Sequence, residues 1–336
     1  MVSMRKFKVA MLSIARRLGL FRIALWLTRD RLRILCYHGF ALRDEGEFRP
    51  GMFMSRDTFE ARLDTLRQYG FRVLPLGESI ERLYAGTLPD RTLAITVDDG
   101  FHSVRQIAAP ALASRGLPAT VYVTTYYVEK PSPIFRLVVQ YMFWKTPCRT
   151  LSLENVPWAA GGEIDLTDPA QAERAVWDCI RYGETQCSEE QRGELSRRLG
   201  DLLAVPYAQI EAVRILHLMT PQELRELADK GIDVQLHTHR HVFPQDAMAS
   251  AEREIADNRA ALSRILGQGS FDQFCYPSGV WAEHQWAWLD RMGVKASTTC
   301  LRGLNSPATP RHALRRLLDS EDVHQVEFEA YLAGLW

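Results

Sequence analysis

The chain is 336 residues long, 46% hydrophobic and 24% charged, which places it in the globular class with enough apolar side chains for a large core. Its 41 lysines and arginines balance 41 aspartates and glutamates, so no chain-wide positive field exists to hold nucleic acid, and that class of partner is not expected.

Residues 1–31 form the first segment. Arg5, Lys6, Lys8, Arg16, Arg17, Arg22, Arg29 and Arg31 interleave there with Phe7, Met11, Leu12, Leu18, Phe21, Trp26 and Leu27. Arginines break every apolar run well short of a bilayer span, and the few apolar residues before Ser13-Ile14-Ala15 are too short a stretch for a cleaved leader. The pattern predicts a basic amphipathic segment with two readings. In one it lies on an anionic membrane surface; in the other it docks on the domain with its arginines in water.

From residue 32 to 336, short β-rich runs alternate with helix-period stretches, the signature of βα units around a mainly parallel sheet. Strands are expected over 33–38, 71–74, 93–97, 120–124, 232–236, 273–276 and 295–299. Ser55 is expected to cap a helix ending at Gln68 before Gly70, and Thr220-Pro221 to open one that Gly231 closes. The expected fold is a distorted parallel α/β barrel of about seven strands. Residues 130–215 interrupt the rhythm with almost no strand signal, while Thr167-Asp168-Pro169 and Ser188-Glu189-Glu190 each start an amphipathic helix. This stretch reads as a helical insertion, either a cover for substrate or a structural brace.

Six scattered cysteines form no C-x-x-C pair. Cys36 and Cys275 lie in apolar strand-like runs where a reduced thiol packs as a hydrophobe, and a cytoplasmic setting, with peripheral contact at the inner face of the membrane, is expected.

Three constellations carry chemistry. Ala94-Ile95-Thr96-Val97 runs into Asp98-Asp99-Gly100, which by itself also makes an ordinary turn. His237-Thr238-His239-Arg240-His241 follows the apolar run 232–236; if the backbone turns helically there, His237 and His241 share a side and converge on one ion, though a solvated cluster is written the same way. Phe274-Cys275-Tyr276-Pro277-Ser278-Gly279 is a third apolar strand stopped by Pro and Gly. All three lie at C-terminal strand ends, which in a parallel barrel gather on the face that bears catalytic groups.

Together these residues resemble the polysaccharide deacetylases, carbohydrate esterase family four. The likeness runs from about Arg33 to Met292 and includes the opening strand Ile34-Leu35-Cys36-Tyr37-His38-Gly39 and an aromatic-x-Tyr-Pro-x-Gly variant of the third motif. It implies a hydrolase that removes the N-acetyl group from an amino sugar of a glycan, exopolysaccharide or lipid-linked precursor. It implies Asp99, His237 and His241 as ligands of a divalent metal, zinc first, with cobalt, iron or nickel also suited to the set. Asp98 is implied as general base, and the backbone N–H of Tyr276 as a donor to the tetrahedral oxyanion.

Two departures stand out. Asp272-Gln273-Phe274-Cys275 lacks the arginine that orients the base in many members, and Arg316 is the candidate substitute, with a solvated arginine beside Arg315 as the other reading. The family's late histidine-bearing motif is not recognisable, and His312 and His324 read as surface residues. A deformylase or other amidase with the same mechanism, and a noncatalytic carbohydrate-binding homologue, are the competing functions. His38 reads either as a residue of the reactive face or as a hydrogen-bonded rim residue. Trp281, Trp286 and Trp288 read either as core or as a sugar-stacking surface.

Overall fold

The structure is a computed structural model that describes residues 2–130, 132–154, 156–267 and 269–335. Seven parallel strands close into a ring: β1 (Arg33–Tyr37), β2 (Thr92–Val97), β3 (Thr120–Val123), β4 (Asp233–Leu236), β5 (Gln273–Cys275), β6 (Ala296–Arg302) and β7 (Leu314–Leu318). Each pairs with its neighbour in sequence, and β1 closes the ring by pairing with both β2 and β7. The barrel is filled rather than hollow. Ile34, Ala94, Tyr122, Cys275, Ala296 and Leu314, from six different strands, form one buried cluster with Leu76, Ile80 and Leu83 of the helix Leu76–Tyr84.

Two staves differ from expectation. The run at 71–74 forms only the two-residue strand Arg72–Val73, which pairs with Thr92 and Leu93 on the side of β2 away from β1. The ring is completed instead by β7, whose adjacent arginines disguise it. Period-two alternation points Leu314 and Arg316 inward while Arg315 is exposed, and Arg316 is fully buried.

The helix starts match their capping signals. Ser55 accepts from the Thr58 N–H at the head of Arg56–Gln68, and Thr220 and Glu223 form a reciprocal capping box on Pro221–Asp229.

The chain divides into two compact units, residues 1–129 with 219–336, and residues 130–218. The second unit contains helices Phe135–Lys145, Pro169–Gln186, Glu189–Leu202 and Tyr207–Val213. Asp168 and Ser188 cap two of them, and an antiparallel pair, Thr150–Ser152 with Glu163–Asp165, is its one strand element among the described residues.

In the first unit, α1 (Val2–Arg17) and α2 (Leu20–Leu27) pack on the C-terminal helix Gln325–Ala333. Among the described residues no helix is long and apolar enough to cross a membrane.

Candidate active site

The three motifs converge at the C-terminal ends of β2, β4 and β5. β2 ends in a sharp turn: Asp99 has φ 70° and Gly100 φ 86°, so two successive residues are left-handed. An aspartate tolerates that conformation better than most side chains. A Cβ on Gly100 would also press on Val123 at 3.2 Å. The turn separates the two carboxylates: Asp98 continues the inward alternation of β2 and is 2% exposed, whereas Asp99 turns to the histidines.

After β4 the backbone does not turn helically. Thr238 (φ 63°) and His241 (φ 58°) bend it through left-handed conformations instead, and these bends bring His241 back toward His237. His237 Nε2 and His241 Nε2 each lie 3.3 Å from the same oxygen, Asp99 Oδ1. His237 Nδ1 is 2.8 Å from the carbonyl oxygen of Cys275, which can only accept, so Nδ1 carries the proton and Nε2 offers its lone pair inward. The His237 N–H is in turn held by Asn258 Oδ1 at 3.0 Å. The ligand atoms of Asp99, His237 and His241 all lie within 4.8 Å of one another. A carboxylate oxygen facing imidazole lone pairs is repulsive until a proton or cation stands between them, so this donor set fits a divalent metal. Burial pushes the Asp99 carboxyl up, but when the two histidines carry protons at Nε2 their hydrogen bonds outweigh this and hold it well below the usual range.

Asp98 is gripped by a fork. Arg316 Nη1 donates to Oδ1 at 2.7 Å and Nη2 to Oδ2 at 2.8 Å, while Arg316 Nε donates to the Thr299 carbonyl at 2.9 Å. Burial favours the neutral acid, yet the Arg316 charge and its hydrogen bonds hold Asp98 down at about 2. Two thiols that sequence reasoning did not assign complete the surroundings: Cys275 Sγ at 3.4 Å and Cys36 Sγ at 3.6 Å from Asp98 Oδ2. Inward alternation on β1 was the available signal for Cys36.

The family model described as polysaccharide deacetylase matches residues 85–297, nearly two thirds of the chain. The chain belongs to the polysaccharide deacetylase family. It is accordingly a hydrolase of the carbohydrate N-deacetylase class. The matched span contains the donor set, Asp98 and Tyr276; Arg316 lies outside it.

Solved structures share the deacetylase fold at low identity. A Streptococcus pyogenes deacetylase, PplD, in complex with acetate is 16% identical with a TM-score of 0.58, covering 90% of this chain and 98% of that one. IcaB from Ammonifex degensii is 20% identical with a TM-score of 0.53, covering 91% and 98%. A de-N-acetylase from Aggregatibacter actinomycetemcomitans is 12% identical with a TM-score of 0.55, covering 90% and 100%. No curated protein matches the sequence.

The remaining candidates lie as follows around this candidate centre. The Tyr276 N–H donates to Thr298 O at a long 3.3 Å, and its hydroxyl donates to His312 O at 3.0 Å. His38 Nε2 lies 3.8 Å from Asp98 Oδ2 with its side chain a quarter exposed. His239 turns away, its Nδ1 2.9 Å from Thr125 Oγ1. His312 is not on the surface: it is buried, with Ser297 Oγ at 3.0 Å and Asp290 Oδ1 at 2.9 Å on its two nitrogens. His324 caps the C-terminal helix. Trp281 is half-buried and lies against Tyr276 and Trp286, with ring centroids at 6.1 and 5.8 Å, in one aromatic cluster.

Proposed function

We propose that this enzyme is a metal-dependent N-deacetylase acting on the N-acetylated amino sugars of a glycan or exopolysaccharide. The observation that carries the reading is the convergence of Asp99, His237 and His241 beside a buried carboxylate fixed by Arg316. Asp99, His237 and His241 would hold the metal, zinc by default, which when bound supplies Lewis acidity toward water and the amide carbonyl. Asp98 accepts the proton of the attacking water through the lone pairs that Arg316 leaves free. The grip on both of its oxygens keeps it ionised and in one orientation until that proton arrives. The Tyr276 N–H meets the oxyanion by giving up its long bond to Thr298, an exchange of a weak acceptor for a charged one. Six free cysteines support a cytoplasmic setting.

The test joins elemental analysis of the purified protein to separate measurement of acetate and formate released from N-acetylated and N-formylated amino-sugar oligomers. Stoichiometric metal with acetate release is the expected result. Formate release alone would replace the reading with a deformylase, and neither product would replace it with a binding protein.

A further inference from the structure

The α1–α2 pair exposes side chains that surface helices ordinarily bury. Of fourteen large hydrophobic residues exposed among the described residues, nine fall between Met4 and Leu27. Along α1 and the turn after it, Met4, Phe7, Met11, Ile14 and Leu18 follow at steps of three and four residues, each between 51% and 78% exposed. On α2, Leu20, Ile23, Trp26 and Leu27 continue the exposed surface. The fold does not call for this stripe, because the same helices use Val9, Leu12, Ala15, Phe21 and Leu25 to pack on the C-terminal helix.

Charge is segregated onto the same element. Residues 1–31 hold eight lysines and arginines against one carboxylate, Asp30, in a chain whose net charge is zero. Arg5 and Lys8 pair with Glu327, Arg16 with Glu329, Arg29 with Asp90 and Arg31 with Asp30, while Lys6, Arg17 and Arg22 form no ion pair among the described residues. Arg17 and Arg22 line, with Arg16, Arg91 and Glu329, a cavity of about 810 Å³ at the α1–α2 junction. The Arg29 guanidinium lies over the exposed Trp26 ring at 4.8 Å, an amphipathic pair suited to a lipid–water boundary.

We propose that this face docks the enzyme on an anionic lipid bilayer, the apolar stripe entering the interface and the unpaired cations meeting lipid phosphates. Lipid is favoured over a second copy of the chain because a symmetric pairing would set Lys6, Arg17 and Arg22, which form no ion pair among the described residues, against their own copies, whereas anionic headgroups neutralise them. No residue of the surface belongs to the Asp98–Arg316 centre, so docking and hydrolysis are separable.

The experiment is sedimentation of the full chain with vesicles of phosphatidylcholine alone and with roughly one-third phosphatidylglycerol added. The protein should pellet with the anionic vesicles and be released as salt rises. Phe7→Ser with Trp26→Ser should weaken partitioning roughly tenfold or more. Arg17→Gln with Arg22→Gln should weaken it roughly fivefold for each charge removed. All four positions are solvent-facing or line the junction cavity, so thermal unfolding followed by circular dichroism should be unchanged. Equal pelleting of parent and variants, or equal binding to both vesicle types, would overturn the proposal. So would a dimer that the Phe7 and Trp26 changes dissociate without any vesicle binding, which would assign the face to a second copy.

Discussion

Two buried arginine–aspartate pairs sit in this barrel and behave oppositely. Asp98 receives two hydrogen bonds from one Arg316 fork, at 2.7 and 2.8 Å, and is held at about 2. Asp319, just after β7, is equally buried and receives a single contact from Arg62 Nε at 3.0 Å; there burial wins over the arginine and lifts the carboxyl to about 6. Arg62 spends its other N–H groups on Gln325 Oε1 and the Val323 carbonyl. Proximity of opposite charges is therefore not enough to hold a buried carboxyl at or below its usual range. The guanidinium that does so places both arms of its fork on the carboxylate, whereas Asp319 meets one nitrogen of Arg62 and the Ser320 N–H.

The comparison is broken most severely at the proposed reactive centre. Asp98→Asn should lower kcat by roughly two to four orders of magnitude, the scale of a lost general base, with bound metal retained. Asp99→Ala should empty the donor set, and elemental analysis beside kcat separates the two. Arg316→Met strands a carboxylate in the barrel and should cost about 3–5 kcal/mol in urea unfolding. Adding Asp98→Asn to it removes the stranded charge, so much of that stability should return while activity does not. Failure of the double variant to recover would mean the pair does more for the fold than neutralise itself.

Smaller effects are expected at the second pair. Arg62→Met should cost about 1–3 kcal/mol, because Asp319 can take up a proton instead of remaining a bare charge. Urea unfolding should show a larger loss at pH 8 than at pH 5. The smallest effect lies in the parent protein. Asp319 holds in the folded state a proton that the unfolded chain releases above 3.8, so its contribution to stability falls as pH rises from about 4 through about 6. Asp319→Asn should flatten that part of the stability–pH curve, and an unchanged slope would place the titration elsewhere.

Legibility varied with how local each feature is. The strand-end positions of Asp98-Asp99, His237 and Tyr276 were readable because each motif directly follows its own apolar run. The seventh stave was not: Leu314-Arg315-Arg316-Leu317 carries two adjacent charges that suppress a strand signal, although inward alternation from Leu314 reaches Arg316. The aromatic group around Trp281 was ambiguous because sequence spacing does not say which rings pack together.

The amino-acid order alone determined which side chains stand at the mouth of the barrel, since strand direction, period-two alternation and turn residues act over a few neighbouring positions. It also determined the amphipathic, cationic character of residues 1–31. Tertiary structure decided who meets whom. Arg316 finds Asp98 across 218 positions only because the ring closes β7 onto β1, next to β2. His241 joins His237 through left-handed bends rather than a helix turn. Whether a buried aspartate is shifted down or up follows the guanidinium arms pointed at it, a property of the packed barrel that no stretch of sequence contains.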